Sequence, residues 1–361
     1  MKAKLKVGVL GATGMVGQRF VALLEKHPWF DVTLVAASPS SAGKTYAEAV
    51  AGRWTLASAV PSAASALVVR DASDVATIAA EVDFVFCATD MTKDETRALE
   101  DAYAKAETPL VSNNSAHRAT PDVPMMIPEI NSDHARVIEA QRKRLGTKRG
   151  FVAVKPNCSL QSYVPAIHPL MEFAPKRIAV CTYQALSGAG KTFATWPEMT
   201  DNIIPFIGGE EEKSEQEPSK IWGVLEGGAI VNRREPVISA QCLRVPVADG
   251  HLAAVSVSFE RKPTADEIKE RWRAFRGKPQ TLELPSAPKQ FLTYFEDPSR
   301  PQTRLDRDIE NGMGIALGRL RPDSIFDYRF VGLSHNTIRG AAGGAVLTAE
   351  LLVAEGYIGS R

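Results

Sequence analysis

Cysteine is scarce in this chain, and nothing in the sequence arranges it for metal or disulfide chemistry. The 361 residues include four, Cys87, Cys158, Cys181 and Cys242. With no CxxC pair and no His/Cys cluster, a disulfide framework and a zinc site are excluded as organising principles, and no metal is expected. No apolar run approaches the ~20 residues that a membrane helix needs. Nor is there an excess of either charge: 43 Lys plus Arg face 42 Asp plus Glu, so neither nucleic acid nor an anionic membrane surface is an expected partner. Internal repeats and low-complexity tracts are missing as well, and MKAKLKVGVLG enters a strand-like run with no cleavage site. The expectation is a cytoplasmic protein that handles small molecules.

The pattern that is present is α/β. A strand over residues 5–10, a glycine turn, an amphipathic helix through Phe20, Leu23 and Leu24, and an apolar run over 32–37 make one βαβ unit. Further strands are expected at 66–69, 83–88 and 109–112, with a helix over 93–105. Such alternation implies a doubly wound parallel sheet. From about residue 150 longer β-rich stretches take over, at 178–185, 238–246, 252–259, 313–320 and 326–333, with a helix over 265–275. We therefore expect two domains: a Rossmann-type unit over 1–150 and a mixed α+β unit over 151–334. A small-residue helix near the C-terminus, within 335–361, should return to the first unit. The charged segments 208–219 and 297–311 read as surface excursions.

Gly11-Ala-Thr13-Gly14-Met15-Val16-Gly17 lies between the first strand and the first helix. That position suits a tight turn whose backbone N–H groups approach a pyrophosphate at the helix N-terminus. After the second strand, Ala36-Ala-Ser38-Pro-Ser-Ser41-Ala-Gly-Lys44 holds hydroxyls and a lysine but no acid. An acid there would accept from the ribose 2′-OH of NAD; its absence favours the 2′-phosphate of NADP.

GATGMVG, PNCS, YQALSGAG, IPFIGGEEEK, RVPVADGH and LSHNTIRGAAGGAV occur in this order along nearly the whole chain. Together they resemble the aspartate-β-semialdehyde dehydrogenase family, in its archaeal and fungal-like branch. The resemblance implies a glyceraldehyde-3-phosphate dehydrogenase-like architecture and a homodimer or homotetramer. The implied activity is the NADP-linked, reversible conversion of aspartyl phosphate to aspartate semialdehyde and phosphate, in lysine, threonine and methionine biosynthesis. It further implies Cys158 as the nucleophile, His251 as the acid/base and Gln184 beside them. Arg244 should hold the substrate carboxylate, Glu210 its amino group, and Lys213 and Arg118 the phosphate. Ser187, Gly188 and Asn336 should lie near the nicotinamide. Glu211 and Glu212 adjoin Glu210, which leaves that register open. Two positions depart from the family pattern: Ser40, where many relatives carry arginine, and Lys191, for which we find no physical account. The chemistry requires a thiolate that forms a thioester, a proton-transfer group and cations for the anionic substrate. Two other readings share parts of this pattern: a short acyl-CoA reductase of the malonyl-CoA type, and a silent NADP-binding sensor.

Overall fold

A computed structural model describes residues 3–361. Strands β1 (Leu5–Leu10), β2 (Phe30–Ala37), β3 (Arg70–Asp71), β4 (Phe84–Cys87), β5 (Leu110–Ser112) and β6 (Val152–Val154) form one parallel sheet in the order β3-β2-β1-β4-β5-β6. β4, β5 and β6 are buried at every residue, as expected when helices cover both faces of a parallel sheet. The strand order reverses between β1 and β4, and a crevice opens there at the carboxyl ends of the strands.

The second sheet is mixed. β7 (Pro175–Gln184) is followed by a small ribbon of β8 (Val224–Glu226) and β9 (Ala229–Val231). Then come β10 (Val237–Arg244), β11 (His251–Phe259), β12 (Leu292–Phe295), β13 (Ile315–Pro322) and β14 (Tyr328–Ser334), in the sheet order β10-β7-β11-β14-β13-β12. β7 and β11 alternate buried and half-buried residues, so one face of this sheet lies on the core. β7 and β10 run parallel with Gln184 opposite Arg244 in register. This end of the sheet faces the segment after β6.

The helix Gly343–Ala354 is apolar around its circumference, and every residue from Gly343 to Leu352 is buried. A helix of that kind belongs in an interior. It packs among Val7, Val9, Phe20 and Phe84 of the first sheet's core. A Cβ at Gly344 would stand 2.5 Å from Arg339 O and 3.1 Å from Lys155 Cε, so glycine permits this close approach. Glu350, its one buried charge, pairs with His27 Nε2 at 2.7 Å and accepts from Ser286 N–H at 3.0 Å.

Several sequence expectations are corrected. Residues 66–69 form no strand; the third strand is the two-residue β3, because Val68 bridges back to Thr45. Residues 208–219 are not a solvated excursion but lead into the helix Glu210–Ile221, which buries Glu210, Ser214, Glu217 and Lys220. Segment 297–311 contains the short helix Thr303–Asp306, whose Asp306 is buried by Arg300. None of the described helices is long and apolar enough to cross a membrane.

Burial holds His168 neutral, lowering it from 6.5 to about 4, and His335 is lowered similarly. Because the unfolded chain protonates first, the stability tied to a neutral His168 is complete above pH 6.5 and is lost as pH falls through that window toward 4. The shift corresponds to roughly 3 kcal/mol at most. We predict that His168→Gln, which carries no titratable group, flattens the fall in melting temperature across this window; an unchanged slope would refute the linkage.

Candidate active site

Cys158 lies four residues beyond β6, at the start of the single turn Ser159–Ser162. The turn is set by Asn157, whose Oδ1 accepts from Ser159 N–H at 2.9 Å and Ser159 Oγ at 2.7 Å. Gly340 stands directly behind the thiol: a Cβ there would lie 2.9 Å from Cys158 Cβ. Sequence reasoning missed this position, since only the tertiary contact reveals it. Cys158 Sγ is 3.3 Å from Nε2 of His251, the first residue of β11.

His251 is fixed from its other side. Nδ1 accepts the Ala185 N–H at 3.0 Å, so the proton of the neutral ring resides on Nε2, facing the sulfur. Burial first, and Arg244 second, hold its pKa down to about 3. The imidazole is thereby set as a hydrogen-bond donor to a thiolate or an oxyanion. Taking the thiol proton, one half of the acid/base role expected of this residue, would require the opposite tautomer and turn Nδ1–H against Ala185 N–H. Burial and Glu210 push the Cys158 thiol above its ordinary value, while Lys155, Arg118 and Arg244 pull the other way without prevailing. Lys155 itself is buried, and desolvation brings its amine from 10.5 to about 7.

The polar wall of the cleft comes from one face of the helix Glu210–Ile221, where spacings of three and four bring side chains into line. Glu210 accepts both Asn157 Nδ2 contacts at 3.0 Å, Gln184 Nε2 at 3.1 Å and Lys213 Nζ at 2.7 Å. Burial opposes its charge, but Lys213 chiefly, with Gln184 and Asn157, holds the carboxyl below the usual range. Of the three adjacent glutamates only Glu210 turns inward; Glu211 accepts from Cys242 N–H and Glu212 is exposed. Two turns beyond Glu210, Glu217 bridges Asn157 N–H at 2.7 Å and Arg118 Nη1 at 2.9 Å. Lys220 donates to the carbonyls of Arg118, Thr120 and Val123. A cavity of ≈ 440 Å³ beside this helix gathers Lys93, Ser115, Arg118 and Lys213. Lys93 and Ser115 carried no signal in the sequence.

Gly188 explains its own identity. A Cβ there would meet Arg244 Nη1 and His251 Cε1 at 2.9 Å. Arg244 donates through Nη1 to Ala185 O at 2.6 Å, which leaves Nη2 and Nε for a ligand. Asn336 spends its amide on Gly250 N–H and Ser187 Oγ, both at 2.8 Å, so it braces the loops carrying His251 and Gly188.

The crevice above β1 fits a dinucleotide. Gly11, at φ +78°, makes the turn, with Ala88 O only 2.3 Å from its would-be Cβ. Gly17 lets the helix Met15–Leu24 lie on that turn, whereas Gly14 is open toward the cleft. No side chain caps this helix, so the N–H groups of Met15 and Val16 remain for phosphate oxygens. Thr13, Ser38, Ala88, Thr89 and Asp90 line a cavity of ≈ 440 Å³ there. Asp71, at the end of β3, lines the same cavity; its Oδ1 is occupied by Ser73 N–H and Oγ. Ser41 is buried, and Lys44 folds back on the Ser40 carbonyl at 3.3 Å.

Two family models match the chain: the semialdehyde dehydrogenase NAD-binding domain over residues 6–138 and the semialdehyde dehydrogenase dimerisation domain over 167–339. The chain is 43% identical to the aspartate-semialdehyde dehydrogenase of Archaeoglobus fulgidus, over 98% of this chain and 100% of that one. It is 42% identical to the enzyme of the same name from Aspergillus fumigatus, over 98% and 99%. The crystal structure of aspartate semialdehyde dehydrogenase with NADP from Candida albicans superposes with a TM-score of 0.88 at 37% identity, covering 99% of this chain and 100% of that one.

The electrostatics of the thiol can be read by alkylation. We predict that iodoacetamide labelling of Cys158 in the free protein, followed by mass spectrometry, titrates with a midpoint above the ordinary 9.0. Glu210→Gln should lower that midpoint, because it removes the negative charge that opposes the thiolate. A wild-type midpoint at or below the ordinary value would sink this account.

Proposed function

The chain belongs to the aspartate-semialdehyde dehydrogenase family, and from that premise we propose that it catalyses the reversible, NADP-dependent reductive dephosphorylation of L-4-aspartyl phosphate to L-aspartate 4-semialdehyde and phosphate. The observation that carries the reading is the Cys158 thiol 3.3 Å from the His251 imidazole, with Arg244 and Glu210 converging on the same cleft.

In the oxidative direction Cys158 gives up its proton to solvent, helped by the nearby charges of Lys155, Arg118 and Arg244; the thiolate adds to the aldehyde carbon, and the carbonyl electron pair moves onto oxygen. His251 Nε2–H donates to that alkoxide. NADP, which the N–H groups of Met15 and Val16 would hold, would accept the hydride that leaves the sulfur-bearing carbon as its C=O re-forms, and NADPH would return it in reverse. The acyl group is left on Cys158 as a thioester; a phosphate oxygen then adds to its carbonyl, and the thiolate departs as acyl phosphate forms. Arg244 presents a planar fork to the α-carboxylate. Glu210 exchanges Lys213 for the substrate's α-ammonium, which frees Lys213 to join Arg118 on the phosphate. Gln184 positions the reacting carbon, and Gly188 leaves room for the Arg244 guanidinium and the His251 imidazole. These remote contacts convert binding energy into orientation at the sulfur.

The reading places the protein in lysine, threonine and methionine biosynthesis, in the cytoplasm, as a homo-oligomer built through the segment that matches the dimerisation model. The amino-group acceptor Glu210 sets it apart from a CoA-thioester reductase.

The test is NADPH formation from aspartate semialdehyde with and without inorganic phosphate. We expect phosphate-dependent turnover, abolished in Cys158→Ala while NADP still binds; succinate semialdehyde or malonyl-CoA turned over equally well would overturn the assignment. Gly188→Ala should lose at least about tenfold in kcat/KM, a displacement of catalytic groups being costly, with the melting temperature nearly unchanged.

A further inference from the structure

The loop that follows β2 has little positive charge of its own. At position 40 there is a serine, whose Oγ lies 3.0 Å from Ser38 Oγ. Lys44 turns its ammonium onto the Ser40 carbonyl, and it sits beside Glu48, whose carboxylate is stabilised chiefly by Thr45 and to a smaller degree by Lys44. Its charge is therefore partly offset. Ser41 is 3% exposed, and its Oγ accepts a hydrogen bond from Arg53 Nη2 at 3.1 Å.

Arg53 is twelve residues from Ser41, beyond the short helix Tyr46–Val50. It is nevertheless anchored to both arms of the crevice. Its Nε donates to Ala49 O at 2.8 Å. Its own carbonyl accepts from Gln18 Nε2 at 2.9 Å, the same amide that donates to Thr13 O in the glycine turn at 3.0 Å. Gln18 is buried, and its Oε1 takes the Thr55 N–H and hydroxyl. One glutamine thus bolts segment 53–55 to the turn that receives the pyrophosphate, and the guanidinium reaches from there to the ribose loop. An exposed arginine normally keeps its rotamer freedom. This one is held by two hydrogen bonds, and its Nη1 has no protein partner among the described residues.

We propose that Arg53 is the cation that determines NADP selectivity, its free guanidinium edge receiving the 2′-phosphate between the glycine turn and the hydroxyls of Ser38 and Ser41. The proposal rests on the NADP reading and adds to it the residue that reads the phosphate. Two reasons favour Arg53 over Lys44: a guanidinium offers paired donors in the geometry of phosphate oxygens, and its side chain is already immobilised, so less freedom is lost on binding.

The test is direct binding, by calorimetry or fluorescence, of NADP, NAD and the fragment 2′,5′-ADP to wild type, Arg53→Ala, Arg53→Lys and Lys44→Ala. Wild type should bind NADP more tightly than NAD. Arg53→Ala should weaken NADP and 2′,5′-ADP by about 10- to 100-fold, the range of a charge-assisted hydrogen bond, and NAD by less than about twofold. Arg53→Lys should recover part of the loss, and Lys44→Ala should cost less than Arg53→Ala. Unchanged NADP affinity in Arg53→Ala, or equal losses for both dinucleotides, would overturn the proposal. A wild type that fails to distinguish NADP from NAD would instead overturn the cofactor reading beneath it.

Discussion

The site hangs on two carboxylates of one helix that grip the residue before Cys158. Glu210 holds the side-chain amide of Asn157 and Glu217 holds its backbone N–H, so the approach to Cys158 is fixed from two directions. Asn157 in turn sets the turn that carries Cys158. Buried charges of this kind are tolerable only when every oxygen finds a donor, and removal of one partner typically costs about 3–5 kcal/mol. Lys213, Gln184 and Arg118 complete the set.

Burial also governs the proton chemistry. Burial raises the thiol and lowers the imidazole, so the free protein rests with both groups neutral. Ala185 N–H on Nδ1 leaves the imidazole able to donate toward sulfur or oxygen. The cations Lys155, Arg118 and Arg244 are close enough to favour a thiolate but are outweighed by burial and Glu210.

The two sheets are joined where the chain has no freedom to shift. Arg339 forms a bidentate pair with Glu129 at 2.7 and 2.6 Å and donates to Gln161, three residues past Cys158. Its neighbour Gly340 touches the cysteine, and Gly344 touches Lys155. The segment leading into the C-terminal helix thus packs against the Cys158 loop while the helix itself fills the first sheet's core.

The first βαβ unit, the helix Lys93–Lys105 and most long strands of the second sheet were legible in the sequence, because their apolar periodicity matches the burial each element experiences. The glycine turn was legible for a local reason too: spacing alone dictates a tight turn followed by an uncapped helix start. The helix Glu210–Ile221 was misread because it inverts that rule. Its buried face is the charged one, and hydrophobic periodicity has no means of detecting burial achieved by pairing charge with charge. Likewise, β3 was misplaced because a two-residue strand carries no period. Gly340 behind Cys158, Lys93 in the cavity beside the helix Glu210–Ile221 and Arg53 beside Ser41 were invisible for a further reason. Residue type and local order specify what an element can be. Which distant side chain completes it is decided only when packing brings the two within hydrogen-bond reach.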